Sequence, residues 1–397
     1  MDTLLIPPPL HCYSVAIPPP PWSENCLNFQ SEEPSDAKWT DELRLIQVAE
    51  NKPPTWLTED EILILIRAGV KFMDVTEDQK GVTTVAKKTR VYPDVPNYVS
   101  EVSEFIPLLE AARLKKNLKS FTSFHTRYYR SSSGADSSKW LFKQILAIIN
   151  AASDDIDVSV RKFKHSWVQK SIIARFEGSD PDKHNEVVIV GAHQDSINMW
   201  FPMIGRSPGG KEEKKRSEPE IDLADDDGSG TVTILEAFRV LVEGGFKPTR
   251  PVEFHWYSAE EVGLLGSQDV AKFYARQGRD VIGMLQNDMT GYVGNKKASF
   301  GIIVDYVDDG LTQFLKKLAK QYAAMPIVDT KCGYACSDHA SWRKAGYPSA
   351  FAFEGKFENA NPYIHTTNDV LENLDFDHML EFSKLAVSFA VELSHTD

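Results

Sequence analysis

Residues 186–195 have the sequence EVVIVGAHQD, an uninterrupted apolar run followed at once by a histidine and a carboxylate. An apolar run of this length is typical of a strand buried on both faces of a parallel sheet. Ligands of such sheets bind beyond the carboxyl ends of the strands. The stretch therefore predicts a buried strand that carries His193 to a ligand-binding edge, with Asp195 placed to accept the other ring N–H of that histidine.

The pattern around this strand, from about residue 90 onward, alternates between strands and helices. Such alternation predicts an α/β fold with a mostly parallel, mixed central sheet and helices on both faces. The further strands are expected at 156–164 and 167–176 (a hairpin), 251–257, 281–287, 301–304 and 350–353. The helices are expected at 137–152, 230–242, 264–276, 309–322 and 376–393.

The composition limits the classes of partner. The chain has 397 residues and 42% hydrophobic residues, enough for one large domain and a smaller appendage. Its net charge of -13 argues against a nucleic-acid partner. No apolar run reaches the roughly 18 residues of a membrane helix. The first 22 residues have no basic start and contain proline clusters, so they show no recognisable signal peptide.

The chain before residue 89 divides into two parts. Residues 1–38 are rich in proline and are expected to be disordered. Residues 39–88 are expected to form a small unit of their own, because Thr58 and Glu61 make a capping box for a helix that stops at Gly69. The pair Lys87-Lys88 has two open interpretations: two solvated lysines, or a processing site that frees the rest of the chain.

Acidic residues and histidines recur where strands give way to loops. Two histidines and several carboxylates in such positions suit a pair of divalent metal ions such as zinc. A Glu-Glu pair can give one carboxylate to a metal and leave the other as a proton shuttle. Taken singly, each residue also has an ordinary structural interpretation, such as a core histidine or acids at a helix N-terminus. The residues are His193, Asp195, Asp226, Glu260, Glu261, Asp288 and His365.

Two further features lie outside this set. Cys332 and Cys336 are four residues apart. A zinc knuckle would need a second such pair, and the chain offers only Cys12 and Cys26 in the proline-rich leader. A short disulfide is therefore favoured, with free thiols as the alternative. A disulfide would imply an oxidising compartment. The long loop before Asp226 has a charged half expected to be solvated and an aromatic half, at residues 199–202, that could lie beside the site.

Six motifs, in order, carry a resemblance to a known family. They are GAHQDS (191–196), ADDDGSG (224–230), SAEEVGLLGS (258–267), NDM (287–289), CGYACSDHASWRKAGYP (332–348) and KFENANPYIHTTND (356–369). With these motifs the chain resembles the co-catalytic di-zinc aminopeptidases, specifically the secreted leucine aminopeptidases of fungi and their bacterial relatives. The resemblance covers about residues 89–397, and residues 40–86 resemble the propeptide of that family.

The resemblance implies a zinc-exopeptidase-like fold and two zinc ions per chain. Asp226 would bridge the two ions and would be followed by a cis peptide. Glu261 and His365 would complete one zinc site, and His193 and Asp288 the other. No position of this metal set is substituted, which argues against a non-catalytic copy.

The resemblance also implies roles outside the metal ligands. Glu260 would be the general base, Tyr334 would lie over the site as an oxyanion donor, and Cys332 and Cys336 would form the disulfide of the family. The chain would be secreted and monomeric. The capped helix and the Lys87-Lys88 pair further suggest that the propeptide-like unit is a removable segment, as in a zymogen, which either assists folding or inhibits the enzyme by blocking its cleft. Its substrates would be the N-termini of peptides or proteins, and Asp195 would support a metal ligand.

The selectivity and the exact reaction stay open at the level of sequence. Apolar residues flank the metal positions, and together they suggest a pocket for a Leu-like first side chain, although any one of them could be ordinary core. Within the fold, a carboxypeptidase or a single-zinc glutaminyl cyclase is the alternative, and the intact five-ligand set disfavours the cyclase. A non-catalytic interaction module is the alternative of another class. The pocket residues are Met289, Phe351, Phe353, Phe357 and Ile364.

Overall fold

The computed structural model describes residues 43–81, 83–198, 224–294 and 296–396, and these residues belong to one compact unit. The proline-rich leader with Cys12 and Cys26 lies outside the described residues, as do residues 199–223 with their aromatic and charged halves. The strands are β1 (Arg44–Gln47), β2 (Thr55–Leu57), β3 (Met73–Asp74), β4 (Val158–Phe163), β5 (Ser171–Phe176), β6 (Glu186–His193), β7 (Val252–Tyr257), β8 (Asp280–Asn287), β9 (Phe300–Ile303), β10 (Ile327–Thr330) and β11 (Ser349–Phe353). The helices are α1 (Glu59–Arg67), α2 (Val99–Phe105), α3 (Ala111–Phe121), α4 (Ser132–Asn150), α5 (Gly230–Glu243), α6 (Leu265–Arg276), α7 (Asp309–Tyr322), α8 (His339–Lys344) and α9 (Phe376–His395).

The large sheet has the strand order β10-β9-β11-β8-β6-β7-β5-β4. Its four central strands, β11, β8, β6 and β7, run parallel to one another. Antiparallel pairs occur towards both edges, between β9 and β11, between β5 and β7, and between β4 and β5. The predicted mixed, mostly parallel α/β sheet is confirmed.

Strand β6 shows why the sheet is covered on both faces. Successive side chains of a strand point to opposite faces, so Val188 and Val190 pack with residues of α5 and α9. Val187 and Ile189 pack on the other face with residues of α6 and α8. Both faces of the strand are therefore dry, as the uninterrupted apolar run indicates. In the described ranges, none of the helices has both the length and the apolar character that crossing a membrane requires.

The position of β6 between β7 and β8 fixes where a ligand can bind. The chain passes from β6 to β7 on one side and then to β8 on the other, which makes a topological switch point at the carboxyl ends. His193 is the last residue of β6, Glu260 follows the end of β7 by three residues, and Asp288 directly follows β8. Three of the predicted site residues therefore meet at one edge of the sheet.

A second, antiparallel sheet of order β2-β1-β3 lies in the N-terminal part of the chain. The predicted capping box of α1 is present, since the backbone N–H of Glu61 donates to Thr58 Oγ1 at 3.3 Å and that of Thr58 donates to Glu61 Oε2 at 2.8 Å. The helix stops before Gly69, which has the left-handed φ of 67° that glycine tolerates. Along the chain, the strands of this small sheet come before the domain boundary that we predict near residue 88, and the strands of the large sheet come after it.

The two largest differences between predicted and observed element boundaries are at the starts of α4 and β5. Helix α4 begins five residues earlier than expected, because Ser131 caps it by accepting from the N–H of Gly134 at 2.8 Å. Strand β5 begins at Ser171 instead of residue 167, because the preceding segment turns towards the strand ends. There the indole N–H of Trp167 donates to Ser258 Oγ at 2.9 Å.

Candidate metal centre

The predicted metal ligands come together at the carboxyl edge of the sheet in two groups. Within each group, one N or O ligand atom per residue lies within 4.8 Å of the others. All six residues are buried or nearly so. The structure thus joins all five predicted ligands and Glu260 in one place. The first group is His193, Glu260 and Asp288, and the second is Asp226, Glu261 and His365.

Asp226 lies between the two groups. Its Oδ1 is 3.2 Å from His193 Nε2, and its Oδ2 is 3.0 Å from His365 Nε2. The peptide bond between Asp226 and Asp227 is cis, as the resemblance implies. One carboxylate therefore faces two imidazoles from two different parts of the chain, the arrangement expected of a bridging ligand.

The two adjacent glutamates point to different groups. Glu261 Oε2 is 2.8 Å from His365 Nε2, whereas Glu260 Oε2 is 3.9 Å from His193 Nε2. Asp195 fixes both of their backbones, since its Oδ1 accepts from the N–H of Glu260 at 3.0 Å and its Oδ2 accepts from the N–H of Glu261 at 3.3 Å. The same Oδ1 lies 3.4 Å from His193 Nδ1, so Asp195 connects the ends of β6 and β7.

The crowding of buried carboxylates shows in the pKa values. Burial raises the pKa of Glu260 well above its usual range and also raises that of Glu261. Burial alone would lower the pKa of His193, but the nearby charges of Asp288 and Glu260 raise it well above its usual range. His365 behaves likewise, with its pKa raised to about 10 by Glu261 and Asp226 against the effect of burial. Excess negative charge in such a site is what bound cations would neutralise.

Several buried polar atoms of the site lack a hydrogen-bond partner among the described residues. They are both ring nitrogens of His193 and Oε1 of Glu261. Buried polar atoms are nearly always paired, so unpaired ones need an explanation. Imidazole nitrogens and carboxylate oxygens are the donors that zinc accepts. The residues present therefore fit a site for zinc ions.

Three residues that the sequence prediction missed hold these ligands in place. Asp227 accepts from the N–H of His193 at 3.0 Å and from that of Met289 at 3.2 Å, which ties β6 to β8. Asp369 accepts from the N–H of Asp226 at 3.2 Å. Ser337 donates to Asp288 Oδ2 at 2.5 Å. The run of three aspartates was a usable signal for Asp227, whereas nothing local marks Ser337.

Arg127 is a fourth missed residue, and it is fully buried beneath the site. Its Nε donates to the carbonyl of Gln194 at 3.1 Å, and its Nη2 donates to the carbonyl of Asp226 at 3.2 Å. It therefore joins the ends of two ligand-bearing segments from the turn between α3 and α4. The sequence gives no signal for Arg127, because it lies 66 residues before the first predicted ligand and belongs to none of the six motifs.

The predicted pocket residues form one apolar cluster beside the metal centre. Phe357 and Ile364 line a cavity of about 290 Å³ together with Glu260, Glu261 and His365. The other three predicted pocket residues belong to the same apolar cluster but do not line this cavity. The full set is Met289, Phe351, Phe353, Phe357 and Ile364, with Cys332 and Cys336 beside them.

The predicted disulfide is present, whereas the hydroxyl of Tyr334 is bonded to the N-terminal unit. Cys332 and Cys336 are joined as predicted, with their Cα atoms 5.9 Å apart. The hydroxyl of Tyr334, however, donates to Gln47 Oε1 in the N-terminal unit at 2.8 Å, and burial raises its pKa to about 12. Tyr334 lines a different cavity, and its neighbour Ala335 reaches the one at the metal centre. The role of Tyr334 as an oxyanion donor stays a prediction, and in this structure its hydroxyl is bonded to the N-terminal unit.

Comparison with known proteins gives the family. Residues 171–390 match the model described as Peptidase family M28. The chain belongs to that family. It is 47% identical over 357 residues to "Leucine aminopeptidase 1" of Chaetomium globosum, covering 86% of this chain and 83% of that protein. The family and this relative indicate that the chain is a hydrolase, specifically an aminopeptidase.

Solved structures of aminopeptidases share the M28 fold of this chain. The LapA aminopeptidase of Legionella pneumophila is 31% identical, with a TM-score of 0.76 over 90% of this chain and 95% of that chain. A zinc aminopeptidase of Bacillus subtilis is 14% identical, with a TM-score of 0.55 over 71% of this chain and 94% of that chain. At that identity, the second likeness shows the fold alone.

Proposed function

We propose that this M28 protein is a two-zinc aminopeptidase that releases Leu-like first residues from peptides and proteins. The observation that carries the proposal is the carboxylate of Asp226, whose oxygens face His193 and His365 at 3.2 and 3.0 Å. A single-metal site would need only one of these contacts. The leucine aminopeptidase named among its relatives supports the substrate class.

The ligand atoms divide naturally between two ions. His193 and Asp288 would hold one zinc, Glu261 and His365 would hold the other, and Asp226 would serve both. When bound, zinc would supply Lewis-acid activation of the scissile carbonyl and of a water molecule. The task of these side chains is to fix the position and number of the ions.

Glu260 is the proposed general base. It lines the cavity, its backbone is fixed by Asp195, and it is not needed as a ligand once the other five residues bind. Its carboxylate would take a proton from the attacking water and later deliver it to the leaving amine. A positioned base of this kind is worth roughly 10²–10⁴-fold in rate.

Two properties of the site would restrict cleavage to the first residue. The negative charge of the buried carboxylates would bind a free α-amino group, which an internal peptide bond lacks. The apolar wall that includes Phe357 and Ile364 would accept a Leu-like side chain. A carboxypeptidase would instead need a cation for the terminal carboxylate at this place.

The N-terminal unit is proposed to be a removable inhibitor, as in a zymogen. Residues that end α1 and follow it, from Ile66 to Phe72, line the same cavity as Glu260 and would obstruct substrate entry. Lys87 and Lys88 have side chains 78% and 63% exposed, so a protease could reach the pair and cleave after Lys88. Release of the unit would also free Tyr334 from Gln47, after which its hydroxyl could act as the oxyanion donor. The protein is also proposed to be secreted and monomeric. The disulfide supports secretion, because it suits an oxidising compartment.

One assay separates this proposal from its alternatives. Zinc content is measured by elemental analysis, and turnover is measured with Leu-p-nitroanilide, on the chain with and without residues 1–88. Two zinc ions and release of p-nitroaniline are expected. One zinc in fully active protein would contradict the two-zinc site, and a metal-loaded chain that leaves the substrate intact would favour the cyclase, carboxypeptidase or interaction module.

The same preparation tests the inhibitory role. A chain beginning near Thr89 should be more active than the full chain, and residues 40–86 added in trans should inhibit it. Equal activity of the two forms, with no inhibition in trans, would make the N-terminal unit an ordinary extension of the enzyme.

A further inference from the structure

The segment from Phe72 to Asp78 crosses the surface of the peptidase domain starting at the metal centre. Phe72 lines the cavity that also contains Glu260 and Glu261. Two residues beyond Glu261, Gly263 has a φ of 102°, and a Cβ added there would lie 2.7 Å from Asp74 N and 3.0 Å from Phe72 Cε2. The segment therefore lies in direct contact with the backbone that follows the catalytic glutamates.

The main chain of this segment is held as a bound peptide would be. The N–H of Asp74 donates to the carbonyl of Gly263 at 3.0 Å. The carbonyl of Asp74 accepts from Gln268 Nε2 at 2.8 Å. Both contacts use backbone atoms of the segment, so any peptide in the same extended conformation could make them.

Beyond this point the segment places a carboxylate between two lysines of the peptidase domain. Asp78 Oδ1 lies 2.6 Å from Lys272 Nζ on α6, and Oδ2 pairs with Lys344 Nζ at the end of α8. The Asp78 side chain is only 12% exposed. Although burial would raise the pKa of Asp78, the two lysines lower it. The lysines thus form a partly desolvated site for one carboxylate.

The direction of the segment matches the direction of a substrate. It runs from its amino side at the metal centre to its carboxyl side at the lysines, and an aminopeptidase substrate must leave the centre with the same polarity. The stretch from Phe72 to Asp78, which contains the short strand Met73–Asp74 and the first part of the 3₁₀ turn Thr76–Lys80, spans at most roughly 16 Å. About five residues of an extended peptide cover that distance.

We propose that Lys272 and Lys344 form a subsite for an acidic side chain of the peptide substrate, near its fifth to seventh residue. Asp78 occupies this subsite while the N-terminal unit is attached, and Gly263 and Gln268 guide the intervening backbone. The inference rests on the proposed aminopeptidase function and on removal of the N-terminal unit. It goes beyond that function because it assigns a preference far from the bond that is cleaved.

The test uses the full chain, folded intact and then cleaved at a protease site inserted next to Lys87 and Lys88, with the N-terminal unit washed away. The substrates are nonapeptides that begin with leucine and carry a single aspartate at positions three to eight in a background of alanine and serine. A matched series carries asparagine at the same positions. The release of leucine is measured as kcat/KM.

An aspartate at one position between the fifth and the seventh should raise kcat/KM roughly threefold to tenfold over asparagine. Lys272→Gln and Lys344→Gln should each abolish this preference and leave turnover of Leu-p-nitroanilide unchanged. Lys320→Gln, an exposed lysine on α7, is the matched control. The preference should also weaken as salt is raised, since it is electrostatic.

Two outcomes would overturn the inference. One is leucine release without an aspartate preference at any position. The other is a preference that survives in both lysine variants, which would make the pair only an anchor for the N-terminal unit. Absence of leucine release from every substrate would instead remove the proposed function itself, so the two failures are distinguishable.

Discussion

At the scale of single residues, the carboxylate of Asp226 is the group that would connect the two proposed metal positions. Its two oxygens face histidines that lie 172 positions apart in the chain, at His193 and His365. A change at Asp226 should therefore affect both metal positions, whereas a change at any other ligand should affect mainly one.

Asp226→Asn is expected to lower the occupancy of both zinc positions. The amide keeps one carbonyl acceptor but replaces the second carboxylate oxygen with an NH₂ donor, which cannot bind a metal ion. Zinc per chain, measured by elemental analysis after dialysis, should fall well below one. Asp309→Asn at the exposed start of α7 should keep the wild-type content. Loss of a single ion from Asp226→Asn would argue that this carboxylate serves only one position.

Glu260→Gln and Glu261→Gln should have different phenotypes although the residues are adjacent. Glu260→Gln removes the proposed base, so zinc should stay bound and kcat should fall roughly 10²–10⁴-fold. Glu261→Gln weakens the group that contains His365, so zinc content should fall. Glu358→Gln, which changes an exposed carboxylate, is the control. If the two phenotypes were exchanged, the assignment within the pair would be wrong.

Some site residues meet for a reason that is visible in the sequence, whereas others meet only through tertiary packing. Glu260 and Asp288 follow strand ends, and the carboxyl ends of parallel strands meet at one edge, so their meeting follows from order along the chain. Arg127 reaches the same place from a turn between helices, and only the packing of that turn brings it there. The hydroxyl of Tyr334 bonds to Gln47, a partner that no motif around the tyrosine specifies.

At the scale of elements, the end of helix α1 lines the cavity beside the predicted metal centre. Its capping box satisfies backbone groups at the first turn through Thr58 and Glu61. The helix is nine residues long, and helices this short are marginal without tertiary contacts and caps. The cap should therefore influence how firmly the N-terminal unit sits over the metal centre.

Thr58→Ala should loosen α1 by about 1 kcal/mol, because it removes the hydroxyl that accepts from the N–H of Glu61. Amide hydrogen exchange within residues 59–67 should become roughly fivefold faster, and the full chain should gain activity if the unit inhibits it. Thr58→Ser retains the hydroxyl and is the matched control. Equal exchange in the alanine and serine variants would show that the cap does not limit opening.

The elements that sequence predicted well are long or strongly patterned. Strand β6 is eight residues of continuous apolar sequence, and α9 is a twenty-residue helix with a clear periodicity. Strands β1, β2 and β3 have only two to four residues each and were not predicted. Such short segments carry too few positions for alternation to show, and they form because they pair with each other.

At the scale of the whole molecule, a buried polar network on β7 links stability to pH. Glu253 accepts from Arg175 Nη1 at 2.8 Å and lies 2.7 Å from His255 Nε2, and Tyr274 also donates to it. Burial would raise the pKa of Glu253, but its hydrogen bonds, that to His255 above all, lower it to about 2. Burial lowers the pKa of His255, which keeps its ring neutral.

Both shifts make the folded protein less stable in acid. Glu253 is deprotonated in the folded chain down to pH about 2, so the stability it contributes is complete above its unfolded pKa and is lost as the pH falls from about 5 towards 2. His255 resists protonation when folded, so stability also falls as the pH drops below the unfolded pKa of about 6.5. The direction is the same for both groups.

Glu253→Gln should therefore flatten the acid limb of the stability profile. The free energy of unfolding from urea titration should lose up to roughly 3 kcal/mol at pH 7 relative to wild type, and the difference should shrink as the pH approaches 3. Glu372→Gln, an exposed carboxylate, should leave the profile unchanged. A constant difference between wild type and Glu253→Gln at all pH values would show that this carboxyl group is not the source of the acid sensitivity.

The path of the chain after the N-terminal unit has a consequence for self-digestion. Lys88 and Arg90 both pair with Asp280, the first residue of β8, while the predicted metal ligand Asp288 follows the last residue of that strand. The ends of an eight-residue strand are roughly 26 Å apart. Cleavage after Lys88 would leave a new amine at Thr89, held at the opposite edge of the sheet. An aminopeptidase cleaved in this way could not remove residues from its own N-terminus, so only a second molecule of the enzyme could shorten it.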